Sequence, residues 1–229
     1  METPKIIHFR KIKSPFFDGL APAEVKAIVS AGRQQRYLAK SVIVNQGHMA
    51  HHFFLLLSGR ARYFNLTRDG RKLNLKRLIS GDILAPAALL ARSSEYLLSV
   101  ESVKDSVILV WDHRVIRELV TRYPRLADNT LMFTLDYLAF YRDAYASLTC
   151  DSGPQRLAHA LADLASSIGK RVGGVTELDV TNEELAHEAN VNLFTVSRLL
   201  SHWQRKGILT KRRGRVFLRS PQRLFQEKN

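Results

Sequence analysis

The sequence is short of cysteine and of long apolar runs, and each absence excludes a class of protein. Cys150 is its only cysteine, so a disulfide within one chain is excluded. A cluster held by four cysteines of one subunit is excluded for the same reason. No apolar run approaches the roughly 18 residues of a membrane helix. Because the N-terminal METPKIIHFRKIK lacks the apolar core of a secretory signal, we expect a cytoplasmic protein with no membrane partner.

Motifs of enzymes and metal sites are also missing. The sequence contains no H-E-x-x-H, no G-x-S-x-G, no Walker lysine loop and no clustered cysteine–histidine spacing. We therefore predict that the protein is not an enzyme and has no metal site.

Acidic residues are too few to balance the basic ones. There are 35 lysines and arginines against 21 aspartates and glutamates, which gives a net charge of +14. Such a balance suits a polyanionic partner. The range 205–223 contains no acidic residue and eight basic ones: Arg205, Lys206, Lys211, Arg212, Arg213, Arg215, Arg219 and Arg223.

The stretch TNEELAHEANVNLFTVSRLLSHW at 181–203 predicts two short helices joined by a tight turn. Thr181 and Glu184 have the spacing of a capping box, which marks the start of the first helix. Asn190 falls where the chain must bend, and asparagine tolerates a left-handed backbone better than most residues. Asn192 is then placed to cap the second helix.

The second of these helices has two different faces. Its apolar stripe consists of Val196, Leu199, Leu200 and Trp203. The opposite face carries, at helical spacing, Phe194, Ser197, Arg198 and Ser201. A helix-turn-helix requires this arrangement, because the apolar stripe packs on the body of the domain while the other face enters the major groove.

TVSRLL at 195–200, WQRKGIL at 203–209 and the basic hairpin after them resemble the winged helix of the CRP/FNR family of bacterial transcription regulators. The resemblance extends through nearly the whole chain. It implies an α+β fold with an N-terminal antiparallel β-roll, or jelly roll, as sensor domain. A long dimerisation helix and a C-terminal winged helix-turn-helix complete the expected architecture. We expect an arm and roll at 1–111, a dimerisation helix region at 112–150 and a DNA-binding domain at 151–229.

The N-terminal pattern agrees with a roll. A basic arm at 1–14 and a short amphipathic helix at 20–32 come first. From Arg36 to Val110, short apolar runs then alternate with turn signals, which favours an antiparallel roll or barrel. Asp69-Gly70 predicts a hairpin. The roll is expected to turn at Gly47, Gly59, Gly70 and Gly81.

Helices are predicted at 112–121 and from about 124 to 148, with a break at Tyr123-Pro124. A heptad-like seam on the longer helix consists of Leu131, Leu135, Leu138, Tyr145 and Leu148. This helix either packs only on its own roll or pairs with a second copy. We favour a homodimer, because a helix-turn-helix normally reads two half-sites through a two-fold axis. A hinge is expected at 150–154, then a helix at 155–168 and a hairpin around Gly173-Gly174.

Double-stranded DNA is the predicted partner. Arg198 is expected to pair with O6 and N7 of guanine, or else to contact phosphate or form a salt bridge with Glu183 or Glu188. Ser197 is small enough to let the helix approach a base. Phosphate contacts are expected from helix N-termini and from the wing, through Thr181, Thr195, Asn192, Lys211, Arg212, Arg213 and Arg215. A solvated tail is the alternative for the basic stretch.

Phe194 departs from the family pattern, since many members carry a glutamate there that accepts a hydrogen bond from cytosine. Phenylalanine cannot accept one, but it can contact the methyl group of thymine. Packing against the wing is the alternative. The usual half-site of the family should not be assumed here.

We predict no cofactor. Family members that bind cyclic AMP carry a Gly-Glu pair and an Arg-Ser pair, where this chain has Ala85-Pro86 and Tyr96-Leu97, so cyclic AMP is not expected. An iron–sulfur cluster is not expected either, because the sequence lacks the several N-terminal cysteines that would bind it. Haem stays open, with candidate ligands His8, His48, His51, His52 and Met49. For another effector, the candidate residues are Arg92, Tyr141 and Arg142, the last two at the place where family effectors touch the dimer seam. Control through expression level, with no effector at all, is also open.

The sequence therefore predicts a dimeric, sequence-specific DNA-binding transcription regulator, with RNA polymerase as a further partner. The alternative is a ligand-sensing module, open to haem, that acts through protein partners rather than DNA. The operator, the effector, the regulated genes and the direction of control cannot be read from the sequence.

Overall fold

A computed structural model describes residues 12–67, 69–70, 72–90, 92 and 94–225. Most of the arm expected at 1–14 lies outside these residues. Within them the helices are α1 Pro22–Ser30, α2 His113–Arg122, α3 Arg125–Cys150, α4 Gly153–Ser167, α5 Asn182–Glu188 and α6 Leu193–Arg205. The strands are β1 Arg33–Tyr37, β2 Val42–Val44, β3 His52–Leu66, β4 Lys72–Leu78, β5 Ile83–Leu84, β6 Ser99–Asp112, β7 Lys170–Val172, β8 Val175–Asp179, β9 Leu209–Arg212 and β10 Arg215–Leu218. Short 3₁₀ helices cover Pro15–Phe17, Pro86–Leu89 and Pro221–Phe225.

Strands β1 to β6 form one antiparallel sheet. Along its hydrogen-bonded path the order is β1-β6-β3-β4, with β2 paired to β6 and β5 paired to β3. The hairpin predicted at Asp69-Gly70 joins β3 to β4, and Leu66 lies opposite Lys72. Gly70 has a φ of 78°, which a glycine adopts without strain. The antiparallel N-terminal fold is therefore confirmed.

The turn expected at Gly59 was wrong. Gly59 lies inside β3, which continues for 15 residues through irregular pairing with β6 between Leu56 and Ala61. It has a φ of 96°, and a Cβ there would lie 2.5 Å from the carbonyl oxygen of Asp105. The glycine thus permits a bulge and the close approach of β6, rather than a reversal of the chain.

The core of the roll is aromatic where α1 and the N-terminal 3₁₀ helix cover the sheet. Phe16, Phe53 and Trp111 are fully buried. The ring centroids of Phe16 and Phe53 are 5.1 Å apart, and those of Phe53 and Trp111 are 5.9 Å apart. Trp111 Nε1 donates a hydrogen bond to the carbonyl of Ile28 at 2.8 Å. This bond attaches the end of α1 to β6.

The break predicted at Tyr123-Pro124 is confirmed, because α2 ends at Arg122 and α3 begins at Arg125. Helix α3 has 26 residues and ends slightly later than expected. Contacts divide the chain into two compact units with a boundary between Leu138 and Ala139. Each unit therefore contains part of α3.

The second unit combines helices α4 to α6 with a small sheet. The hairpin expected around Gly173-Gly174 is β7–β8, and the expected wing is β9–β10. The two hairpins form one sheet in the order β7-β8-β10-β9, which the sequence did not predict. Helix α4 begins at Gly153, earlier than expected, because proline is tolerated in a first turn. Only Asp151 and Ser152 separate α3 from α4.

Candidate DNA-binding surface

The first helix of the predicted helix-turn-helix begins as expected. The hydroxyl of Thr181 accepts a hydrogen bond from the amide of Glu184 at 3.1 Å, and the Glu184 carboxylate accepts one from the amide of Thr181 at 2.7 Å. These reciprocal bonds form the capping box and fix the start of α5. They also leave the Thr181 side chain at the surface end of a helix, where a phosphate oxygen can be bound.

The turn between α5 and α6 uses both asparagines in the predicted way. Asn190 has a φ of 46°, so it occupies the left-handed region. The Asn192 side chain accepts a hydrogen bond from the amide of Thr195 at 2.7 Å and caps α6. The sequence therefore fixes both the end of the turn and the first residue of the second helix.

Helix α6 buries the predicted stripe. Val196 and Leu200 are fully buried, and Leu199 and Trp203 nearly so. They belong to a core that also contains Leu157 and Leu161 of α4. Burial of this stripe leaves the other side of α6 at the surface.

Arg198 lies on that exposed side. Within the described part of the chain, its guanidinium makes no hydrogen bond or ion pair, so the salt bridges considered with Glu183 and Glu188 do not form. A guanidinium without a partner on a helix surface is available for a polar or anionic ligand.

Phe194 is 77% exposed, and its neighbour Leu193 is 47% exposed. The alternative that Phe194 packs against the wing is therefore wrong. Two apolar side chains at the start of α6 stand in solvent, which is unusual for a helix face that is otherwise polar.

Ser197 lies closer to α5 than the sequence suggested. The side-chain amide of Asn182 donates a hydrogen bond to the Ser197 hydroxyl at 3.2 Å. The contact joins the first residue of α5 to the middle of α6. Asn182 could not be recognised from the sequence, because only the fold brings the two residues together.

The wing is held against α6 by polar contacts. Lys211 Nζ donates to the hydroxyl of Ser201 at 3.3 Å, and the amide of Lys211 donates to the Gln204 side chain at 3.1 Å. Gln204 is a second residue whose role could not be recognised from the sequence. Lys211 is thus only partly free for a ligand.

The other wing cations differ in their surroundings. Arg213 is exposed beside Gly214, whose φ of 70° makes the turn. Arg212 lies over the ring of Phe217, 5.4 Å from its centroid. Arg215 forms an ion pair of 2.7 Å with Glu177 of β8. The four basic residues predicted to contact DNA are therefore not equivalent.

Three tyrosine hydroxyls of the first unit bond to the main chain. The hydroxyl of Tyr63 accepts a hydrogen bond from the amide of Ala85 at 3.0 Å, and that of Tyr137 donates to the carbonyl of Ile83 at 3.0 Å. Tyr96 is nearly buried, and its hydroxyl bonds to the main chain of His52. These three hydroxyl groups carry no positive charge for a buried phosphate, whereas the cationic side chain of Arg60 is nearly buried in the same unit.

The three candidate effector residues have different environments. Arg92 is exposed. Arg142 pairs with its neighbour Asp143 at 2.7 Å, and both side chains are largely exposed. The Tyr141 hydroxyl is buried and has no hydrogen-bond partner among the described residues, and burial raises the pKa of Tyr141.

The haem candidates partly come together. His48, Met49, His51 and His52 line one cavity of about 660 Å³ in the first unit, whereas His8 lies outside the described residues. His52 Nε2 is 3.2 Å from an oxygen of Asp112, yet burial keeps the pKa of His52 below its ordinary value. Among the described residues, no group of three or more His, Cys, Asp or Glu side chains is arranged for a metal ion.

Comparison with known proteins identifies the family. A family model described as the cyclic nucleotide-binding domain matches residues 34–123, and one described as the Crp-like helix-turn-helix domain matches residues 155–227. The chain belongs to the CRP/FNR family. This family consists of transcription regulators rather than enzymes, so the chain is a transcription regulator with a helix-turn-helix DNA-binding domain.

Relatives of this CRP/FNR protein match it along most of its length. It is 28% identical to the cyclic AMP receptor protein of Thermus thermophilus over 206 residues, which cover 90% of this chain and 93% of that protein. A CooA mutant from Carboxydothermus hydrogenoformans has 25% identity and a TM-score of 0.71, covering 87% of this chain and 89% of that one. The c-di-GMP responsive regulator CLP of Xanthomonas campestris has a TM-score of 0.75 at 18% identity, covering 87% of this chain and all of that one (100%). At this identity CLP supports the fold alone.

None of the helices within the described ranges combines the length and apolarity needed to cross a bilayer.

Proposed function

We propose that this regulator is a homodimer that recognises a specific DNA sequence through α6. The observation that carries the proposal is the exposed guanidinium of Arg198, which has no partner among the described residues, on a helix whose opposite side is buried. In the major groove, an arginine in this position pairs bidentately with O6 and N7 of guanine.

The bases read by the start of α6 differ from those of the family pattern. Phe194 is 77% exposed and cannot accept a hydrogen bond from cytosine. Its apolar ring instead contacts the methyl group of thymine. Ser197, held by Asn182, gives the helix close access to the base edges. The proposed half-site therefore contains a guanine opposite Arg198 and a thymine opposite Phe194.

Phosphate contacts hold α6 in the groove. The helix N-termini supply Thr181, Asn192 and Thr195, where main-chain amides favour phosphate oxygens. On the wing, Arg213 has the most exposed position, while Lys211, Arg212 and Arg215 contribute next to their contacts within the protein.

The second copy binds through α3. The helix exposes large apolar side chains at close to heptad spacing, namely Leu131, Met132, Leu135, Leu138, Tyr145 and Leu148, each at least 48% exposed. A parallel pair of such helices buries these side chains at a two-fold axis. The axis places two recognition helices about 34 Å apart, one turn of DNA.

The effector is proposed to be other than a cyclic nucleotide. Of the three candidate residues, Tyr141 is the best placed to bind an effector, since its buried hydroxyl lacks a partner among the described residues. Arg92 and Arg142 are exposed cations that suit an acidic effector. RNA polymerase is a further proposed partner, and the cytoplasm the proposed location, as for any regulator acting at promoters.

Selection of duplexes from a random pool by the full-length protein, at cellular ionic strength, tests the proposal. Enrichment of an inverted repeat, with half-sites about one DNA turn apart, is the expected result. A pool that stays random through the selection, with and without candidate effectors, would show that the protein does not recognise a specific sequence.

A further inference from the structure

One arginine outside the predicted interface holds two helix ends together. Arg156, in the first turn of α4, donates hydrogen bonds to three main-chain carbonyl oxygens. Its Nη1 bonds to Asp151 at 2.6 Å, its Nε to Ala189 at 3.0 Å and its Nη2 to Asn190 at 3.3 Å.

The three carbonyls belong to the C-terminal ends of two helices. Asp151 directly follows Cys150, where α3 ends, and Ala189 and Asn190 directly follow Glu188, where α5 ends. The last carbonyls of a helix have no partner within it and carry the negative end of its dipole. A single guanidinium therefore caps α3 and α5 at the same time.

The capped segment leads straight into the recognition helix. Asn190 is the left-handed residue of the turn, and Asn192 caps α6. The start of α4 also packs against this turn, since a Cβ on Gly153 would lie 3.4 Å from a methyl group of Val191. Arg156 thus fixes where α6 begins relative to the end of α3.

We propose that Arg156 is a positioning residue that sets the orientation of α6 with respect to the C-terminal end of α3. Because the proposed dimer pairs through α3, this orientation determines the distance between the two recognition helices. The inference rests on the proposed function. Lysine cannot replace Arg156, because a single ammonium group does not span three carbonyls in different directions.

The test compares full-length wild type, Arg156→Met, Arg156→Lys and a control, Arg171→Met, which removes one exposed positive charge from β7. Each protein is titrated with the selected operator and with operators in which one base pair is inserted between, or removed from between, the half-sites. A far-UV circular dichroism spectrum verifies the fold of each variant.

For Arg156→Met, we expect affinity for the operator to fall about 10-fold or more, as a mismatched base pair does. The preference for the native spacing should also weaken, which a loss of charge alone would not cause. Arg156→Lys should show both effects, and Arg171→Met neither.

A folded Arg156→Met that keeps both the affinity and the spacing preference of the wild type would overturn the inference. Should Arg156→Met fail to fold, the same two measurements on Arg156→Lys decide. If the wild type itself prefers no operator, the proposed function fails, and the inference fails with it.

Discussion

Arg215 and Glu177 form an ion pair across two strands of the second unit. The guanidinium of Arg215 lies 2.7 Å from the Glu177 carboxylate, whose side chain is only 16% exposed. The pair ties the second strand of the wing to β8, so Arg215 positions the wing. Arg213 at the tip makes no such contact within the described residues and is free to bind phosphate.

This difference predicts unlike effects of two arginine substitutions. Arg213→Ala should weaken binding to all duplexes and reduce the slope of log affinity against log salt by about 0.9, the value of one phosphate contact. Arg215→Ala should change the slope less and lower the unfolding free energy by about 0.2–1 kcal/mol. Salt titrations by fluorescence anisotropy and denaturant unfolding measure the two effects. Equal changes in slope would contradict the assignment.

Phe194 is predicted to set the sequence preference at one position of each half-site. Phe194→Glu should replace a preference for a thymine methyl group by one for cytosine, because the carboxylate accepts a hydrogen bond from the cytosine amino group. The change in discrimination should be about 1–3 kcal/mol.

Affinities for operators that differ only at this base pair provide the measurement. Phe194→Ala serves as control, since it removes the apolar contact without adding an acceptor. An unchanged base preference in Phe194→Glu would show that this residue does not face the bases.

The exposed seam on α3 predicts that the protein becomes monomeric when a charge is placed in it. Leu135→Lys should raise the dimer dissociation constant about 100-fold or more, because pairing would bury an ammonium group without a partner. Leu97→Lys, at a leucine that is 80% exposed in the first unit, is the matched control. Sedimentation velocity gives the oligomeric state, and a dimer of unchanged affinity in Leu135→Lys would exclude this seam.

Glu101 on β6 should make the stability of the roll depend on pH. Burial raises the pKa of Glu101, but hydrogen bonds and charge from Lys72 and Arg62 outweigh this effect and hold the pKa below its ordinary value. A depressed pKa in the folded state stabilises the protein above the unfolded value of about 4.3 and loses this effect as the pH falls through the folded value.

Glu101→Gln should therefore lower the unfolding free energy by about 1–3 kcal/mol at pH 7, since it removes the charged partner of Lys72 and Arg62, whose side chains are only partly exposed. The difference from the wild type should disappear in strongly acidic solution. Urea unfolding at several pH values tests this. A difference that stays constant down to acidic pH would mean that the carboxylate charge is not responsible.

Local signals predicted the recognition helix-turn-helix well. The capping box at Thr181, the left-handed Asn190 and the cap at Asn192 each depend on residues within a few positions, so spacing alone reveals them. The same holds for the apolar stripe of α6, because helical periodicity fixes which side is buried.

Contacts between distant residues could not be predicted in this way. Gly59 gave a turn signal, yet its role comes from the approach of Asp105 in another strand. Asn182, Gln204 and Arg156 act through partners that only the fold brings near. The hydrogen bonds between Tyr63 and Ala85 and between Tyr137 and Ile83 likewise join residues that are far apart in the sequence.

The affinity of Arg198→Ala for the selected operator and for a random duplex, measured side by side at cellular ionic strength, tests the central claim most directly. We predict a loss of about 1–3 kcal/mol for the operator and little change for the random duplex. An equal loss for both duplexes would show that Arg198 contacts only phosphate. No loss for either would show that this face of α6 does not contact DNA.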